Sequence, residues 1–228
     1  MLLDAFEGHS STVLSLDATL DNDIIASSCY DGTVKLWSYN RVKEIRTQKI
    51  HNGPVKCVAL SDKGRYLLSG GNDGRVLLEN VKSGITVKDF TAHTGAVRKV
   101  RFSGDKKHFA SAGEDNRILL YNRSEKHFVK ELRGHEHYVN DFIFFMQGKN
   151  AISCGMDKKV ILWDVFTEKI MRRISLKTTN AIAVSMSADS SKIALACTDN
   201  SIKIIDTGLT KMLKILRSHS RPVFAVDY

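Results

Sequence analysis

The stretch GHEHYVNDFIFFMQGKNAISCGMDKKVILWD, residues 134–164, decides the fold of this 228-residue chain. It opens with Gly134-His135 and closes with Trp163-Asp164, and an apolar run follows the histidine. Asp157 lies in a short turn 22 residues after His135, just before the alternating run Lys159 to Trp163. Short apolar and alternating runs separated by turn residues are typical of β-strands. The stretch therefore predicts three short strands joined by tight turns.

The same pattern recurs along the chain with a fixed period of 42 residues. A histidine precedes an apolar run at five positions: His9, His51, His93, His135 and His219. Lys177 stands at the one register position that lacks a histidine. An aspartate follows each of the first five register marks after 22 residues: Asp31, Asp73, Asp115, Asp157 and Asp199. A period of this length without insertions indicates a repeat architecture.

Each copy contains signals for four short strands, and we find no 3.6-residue period of a long helix. The pattern resembles the WD40 (WD repeat) β-propeller family. Its Gly-His pair appears as Gly8-His9 and Gly134-His135, and its Trp-Asp pair as Trp163-Asp164. The resemblance implies an all-β fold, a β-propeller of four-stranded antiparallel blades. We expect one domain over 1–228, with five complete repeats at about 9–50, 51–92, 93–134, 135–176 and 177–218.

The two ends of the chain depart from a complete ring. By resemblance, residues 1–8 would form the outer strand of a further blade, with Leu2 to Glu7 as the strand itself. Residues 219–228 would form its inner strand, over Pro222 to Tyr228. The two middle strands of that sixth blade are missing. We therefore expect an incomplete propeller, which is either a fragment or a ring that another chain completes.

A recurring set of His, Ser, Asp and Trp resembles the buried hydrogen-bond network of WD40 blades. Its members are His9, Ser27, Asp31, Trp37, His51, Ser69, Asp73, His93, Ser111, Asp115, His135, Ser153, Asp157 and Trp163. The resemblance predicts complete sets in blades one and four, Tyr121 in place of Trp in blade three, and broken sets at Glu79 and in blade five. A catalytic triad occurs once in a fold, whereas this set recurs every 42 residues. We therefore expect a structural role and no catalytic residues.

Composition and cysteine spacing narrow the functional class. The net charge is +9, the first nine residues are too polar for a signal peptide, and no apolar run approaches a membrane span. The four cysteines form no metal-ligand spacing, which favours buried free thiols. We expect an intracellular protein, cytoplasmic or nuclear, that is not an enzyme, inserts in no membrane and takes no metal, cofactor or small-molecule substrate.

The WD40 resemblance also implies where a partner would bind. Family members bind mainly on the face that carries the loops entering the inner strands. On that face we expect the following partner-binding residues: Tyr30, Lys56, Asn72, Arg98, Glu114, Tyr138, Asn140 and Met156. Their aromatic and cationic character favours acidic or phosphorylated peptides, and hence a scaffold or adaptor in a multiprotein complex.

An alternative follows from the charge of the third repeat. Residues 93–134 carry a net charge of +5, and five basic residues cluster around one strand: Arg98, Lys99, Arg101, Lys106 and Lys107. They form either a solvated surface or a contact with nucleic-acid phosphates. The second option predicts a subunit of a ribonucleoprotein or chromatin assembly.

Overall fold

The computed structural model describes residues 5–19, 23–125 and 127–228. Within these residues it contains twenty strands in five four-stranded antiparallel sheets, each formed by consecutive strands. Two short 3-10 turns, at Asp62–Gly64 and Met146–Gly148, are the helical elements of the described chain. This is the all-β, repeated architecture that the sequence pattern predicts.

The five sheets follow the five repeats, and we number the blades in chain order. Blade one comprises β1 (Val13–Thr19), β2 (Ile24–Cys29), β3 (Thr33–Ser38) and β4 (Lys43–Lys49). Blade two comprises β5 (Val55–Leu60), β6 (Tyr66–Gly71), β7 (Arg75–Asn80) and β8 (Thr86–Thr91). Blade three comprises β9 (Val97–Phe102), β10 (His108–Gly113), β11 (Arg117–Asn122) and β12 (Phe128–Arg133). Blade four comprises β13 (Val139–Phe145), β14 (Asn150–Gly155), β15 (Lys159–Asp164) and β16 (Lys169–Ser175), and blade five β17 (Ala181–Met186), β18 (Lys192–Cys197), β19 (Ile202–Asp206) and β20 (Met212–Leu216).

The hydrophobic core lies between the sheets. Leu68 and Val76 of blade two pack with Val100 and Phe109 of blade three, and all four side chains are buried. Equivalent clusters join blades one and two, three and four, and four and five. Each blade is apolar on both faces, so both faces are buried only when a neighbouring blade packs against each of them.

Blade one lacks such a neighbour on one face. Leu16 occupies the register position of Val58, Val100 and Phe142, which are at most 4% exposed, yet Leu16 is 66% exposed. Val13, on the same inner strand, is 44% exposed. We call this uncovered face of blade one the open seam. No described residue closes it.

Residues 5–8 pack against blade one and residues 219–228 against blade five, and neither segment forms a strand. The Val223 N–H donates to the Cys197 carbonyl (3.2 Å), and the Ser185 hydroxyl donates to Asp227 (3.0 Å). Phe6 packs edge-on against Trp37, with ring centroids 5.5 Å apart. The expectation of strands in 1–8 and 219–228 is therefore wrong for 5–8 and 219–228, and residues 1–4 lie outside the described part. A strand needs neighbours in a ladder, and among the described residues no middle strands stand between these two segments.

No helix among the described residues has the length and apolar character needed to span a bilayer.

Candidate partner-binding face

One end of the blades carries the histidine loops and the aspartate turns, and we call it the Asp-turn face. Blade four shows how it is held. Trp163 Nε1 donates to Ser153 Oγ (2.8 Å), which lies 2.7 Å from His135 Nε2. His135 Nδ1 lies 2.9 Å from the Asp157 carboxylate. Because an indole can only donate, this order makes Ser153 the donor to Nε2 and Nδ1–H the donor to Asp157.

The network fixes the charge of Asp157 and the shape of its turn. The carboxylate also accepts the backbone N–H groups of Glu136 (3.0 Å) and Lys159 (3.1 Å). Burial opposes ionisation of Asp157, but the hydrogen bonds from His135 and from the two backbone N–H groups outweigh burial and lower the pKa of Asp157. A single carboxylate thus ties the histidine loop to the following turn.

Blades two and three repeat this arrangement. His51 lies 2.9 Å from both Asp73 and Ser69, and His93 lies 2.9 Å from Asp115 and 2.6 Å from Ser111. In blade three the Tyr121 hydroxyl lies 3.0 Å from Ser111, in the place of the indole. In blade two, buried Glu79 stands there instead and bonds weakly to Thr86 (3.4 Å).

Blade one lacks the direct contact between its histidine and its turn aspartate, so the prediction of a complete His–Ser–Asp–Trp network in blade one is wrong. His9 contacts Ser27 (2.7 Å) and Trp37 donates to Ser27 (2.8 Å), but the Thr33 hydroxyl stands between His9 Nδ1 (3.3 Å) and Asp31 (2.6 Å).

The cause of this change is one residue, Cys29. The positions equivalent to Cys29 in blades two to four are glycines, and a Cβ at Gly71 would lie 2.3 Å from the His51 ring and 2.4 Å from Asp73. A direct His–Asp bond therefore requires glycine, and Cys29 excludes it in blade one. The replacement of glycine by cysteine was a visible signal that the sequence reasoning missed.

Blade five uses different residues for the same task. Lys203, which is buried, donates to Asp199 (2.7 Å) and to Ser201 (2.6 Å). Burial opposes ionisation of Asp199, but these contacts lower its pKa to about 2. Thr179 and Thr198 hydroxyls bond at 3.0 Å on the loop side. Sequence reasoning missed Lys203 and Thr179, although the absence of histidine at Lys177 pointed to a substitute.

The expected partner-binding positions are held in pairs by backbone hydrogen bonds. In each blade the residue before the turn aspartate donates to the residue three positions after the histidine, as in Met156 N–H to the Tyr138 carbonyl (2.8 Å) and Asn72 N–H to the Pro54 carbonyl (2.8 Å). Rigid loops of this kind present side chains in a fixed arrangement.

Seven of the eight expected residues reach the surface. Tyr30, Asn72, Tyr138 and Met156 are exposed, and Lys56, Arg98 and Glu114 are partly exposed. Arg98 pairs with Glu114 at 2.9 Å. Asn140 is buried, and its amide donates to the Ala181 carbonyl (2.8 Å). It also lines the cavity described next, and its role as a partner contact stays a prediction.

A cavity of about 790 Å³ opens between the inner strands and the C-terminal segment. Lys56, Arg98, Lys99 and Arg101 line it, against the buried carboxylate of Asp141. Arg101 contacts Asp141 at 3.3 Å, and Asp141 also accepts the Val184 N–H (3.2 Å). The cavity is therefore predominantly cationic.

The five basic residues of blade three do not form one surface. Arg98, Lys99 and Arg101 line the cavity, whereas Lys106 and Lys107 lie in the turn beyond the other end of β9. Lys106 pairs there with Asp62 at 2.5 Å. The five residues divide between the cavity and this turn, and a nucleic-acid contact through them stays a prediction.

One group of side chains, His9, Cys29 and Asp31, has the spacing of a possible metal site but takes part in the hydrogen bonds of the blade-one turn. Donor atoms of these three residues lie within 4.8 Å of one another. Asp31 already accepts hydrogen bonds from Ser10 and Thr33, and His9 is bonded to Ser27, so these side chains stabilise the turn.

All four cysteines are buried free thiols, and burial raises the pKa of Cys57 to about 12. A thiol in that state is a poor nucleophile.

Five blades of this geometry, with a repeated His–Ser–Asp network, define a β-propeller repeat protein. The family model described as WD domain, G-beta repeat matches residues 1–38, 42–78, 84–122 and 126–164. The chain belongs to the WD40 family.

Curated relatives match about a third of the chain. Apoptotic protease-activating factor 1 of Homo sapiens is 34% identical over 79 residues, 35% of this chain and 6% of that protein. The probable coatomer subunit beta' of Schizosaccharomyces pombe is 38% identical over 77 residues, 32% of this chain and 10% of that protein. Small ribosomal subunit protein RACK1 of Drosophila melanogaster is 32% identical over 80 residues, 34% of this chain and 25% of that protein. The matched stretches thus span a quarter or less of these relatives.

Proposed function

We propose that this chain is a non-catalytic scaffold whose Asp-turn face binds acidic or phosphorylated peptides and helps to assemble a multiprotein complex. One observation carries the proposal. Exposed Tyr30, Tyr138 and Met156 stand on the same face as Lys56 and Arg98, which open into the cationic cavity. Aromatic and arginine side chains on rigid loops are typical of interaction hot spots.

Burial of the network supports a non-catalytic role. Ser69, Ser111 and Ser153 are fully buried, and each hydroxyl is already engaged with its histidine. A nucleophile needs access to a substrate and a free base, and none of these three serines has either.

The names of the relatives support assembly and an intracellular location. One is a probable coatomer subunit and another a small ribosomal subunit protein, so both names describe members of larger assemblies. On this similarity we propose that the chain works in a complex inside the cell, in the cytoplasm or the nucleus.

Charge reversal on the Asp-turn face tests the proposal. The probes are a fluorescent peptide of acidic residues and its phosphoserine counterpart, measured by polarisation. The variant Lys56→Glu/Arg98→Glu should bind at least about 10-fold more weakly than the parent chain, because two cations are lost at one site. The control Lys43→Glu/Lys82→Glu reverses two exposed lysines elsewhere and should bind like the parent. Equal affinity of the Lys56/Arg98 variant would overturn the proposal.

A second candidate is a ribonucleoprotein or chromatin subunit that contacts nucleic acid. Its support is the +5 charge of residues 93–134 and the three blade-three cations in the cavity lining, Arg98, Lys99 and Arg101. A single-stranded RNA probe in the same assay separates the two functions. Binding that falls steeply with salt and is lost in Lys99→Gln/Arg101→Gln, while acidic peptides do not bind, favours this candidate over the scaffold.

A further inference from the structure

A second concave site lies at the end of the blades opposite the Asp-turn face. It has a volume of about 310 Å³ and sits between the β5–β6 turn of blade two and the β9–β10 and β11–β12 turns of blade three. We call it the blade two–three groove. It shares no lining residue with the cavity among the inner strands.

The groove is strongly cationic. Lys63, Arg65, Lys106 and Arg123 line it, and Asp62 is the acidic residue among its described lining. Asp62 is paired with Lys106 at 2.5 Å, which leaves a net charge of +3 over the lining. A concave surface with such an excess of one sign concentrates ions of the opposite sign.

Two of these cations are arranged around one aromatic ring. The guanidinium carbons of Arg65 and Arg123 lie 5.3 Å and 5.2 Å from the Tyr66 ring centroid. Among the described residues neither guanidinium has a carboxylate within salt-bridge distance. Stacking on a ring holds a guanidinium in place and leaves its N–H edge open for bidentate bonds to an anion.

We propose that the blade two–three groove binds a phosphate monoester. A monoester carries a charge of about −1.5 to −2 at pH 7 and offers three acceptor oxygens. Arg65 and Arg123 supply the bidentate contacts, and the excess of basic over acidic residues in the lining attracts the anion. The proposal does not depend on the function assigned to the Asp-turn face, since the two sites share no residue.

Binding is measured by amide NMR shifts and by calorimetry, with a phosphoserine heptapeptide, its unphosphorylated form and inorganic phosphate as probes. The phosphopeptide should shift the signals of residues 61–66 and 102–106. The variant Arg65→Gln/Arg123→Gln should bind it at least about 10-fold more weakly. The control Arg217→Gln/Arg221→Gln removes the same charge at exposed positions and should bind like the parent chain. The Tm of each variant reports whether it folds.

Several outcomes overturn the proposal. They are equal weakening in the control variant, equal affinity for the unphosphorylated peptide, and shifts confined to the Asp-turn face. The source of the phosphate is decided by the probes. If the groove binds the phosphopeptide much more tightly than inorganic phosphate, the natural ligand is a phosphorylated partner protein. If the two affinities are equal, the natural ligand is a small organic phosphate. The Lys56→Glu/Arg98→Glu variant should keep this site, so failure of one proposal is distinguishable from failure of the other.

Discussion

A single residue, Glu79, sets blade two apart from its neighbours. It occupies the register position of Trp37, Tyr121 and Trp163, and it is 2% exposed. Burial raises its pKa, and the hydrogen bond from Thr86 and the charge of Arg46 only partly oppose this. A buried carboxylate without a strong partner costs free energy when it ionises. Glu79 is therefore a local weakness in an otherwise repeated design.

The substitution Glu79→Gln should stabilise the chain at neutral pH. Because the folded-state pKa lies above the unfolded value of about 4.3, the folded chain binds the proton more tightly, and stability falls as pH rises through this window. The glutamine cannot ionise, so the variant should exceed the parent by about 1 kcal/mol at pH 7 and match it near pH 3. Urea unfolding at both pH values measures this. Exposed Glu125→Gln is the control, and a gain independent of pH would contradict the argument.

At the scale of the blade, the hydrogen-bond network differs most between blades four and five. Blade four has the full chain of Trp163, Ser153, His135 and Asp157, whereas blade five relies on Lys203 and two threonines. The blade-four network joins two strands, the turn between them and the histidine loop through neutral donors. The blade-five network keeps a buried ammonium, which carries its own desolvation cost.

Amide hydrogen exchange should therefore be faster in blade five than in blade four. We expect peptides covering β18 and β19 to exchange ahead of those covering β14 and β15 in the intact chain, because fewer buried contacts hold the fifth blade closed. Mass-spectrometric exchange at several times measures this. Blade three, with Tyr121 in the network, should resemble blade four. Equal protection in blades four and five would show that the substitute contacts hold as firmly.

The strands and blades were predicted from the sequence more accurately than the contacts between side chains. The 42-residue register located all five blades, because period and turn residues act locally. The Thr33 bridge was missed because it depends on the volume of the Cys29 side chain beside a histidine 20 residues away. The burial of Asn140 and the separation of Arg101 from Lys106 depend on the neighbouring blade and on strand length. Such features come from packing between repeats, which a pattern within one repeat does not specify.

At the scale of the whole molecule, the main departure from the repeated packing is the open seam on blade one. Leu16 and Val13 expose apolar surface that is buried at the equivalent positions of the other blades, and Phe224 on the facing C-terminal segment is 71% exposed. An exposed apolar face beside unpaired strand edges favours association. We predict that two further strands, from a longer chain or another molecule, cover this seam in the working assembly.

A matched pair of substitutions measures whether the seam is open in the isolated chain. Leu68→Ala removes a fully buried side chain between blades two and three and should cost about 2–5 kcal/mol of unfolding free energy. Leu16→Ala makes the same chemical change at the seam and should cost less than about 0.5 kcal/mol, because little of that side chain is buried. Denaturant unfolding of dilute protein, with light scattering to confirm a monomer of 25.5 kDa, gives both values.

A cost at Leu16 equal to that at Leu68 would mean that the isolated chain already covers the seam. If the cost appears only as concentration rises, a second copy covers it, since that burial requires association.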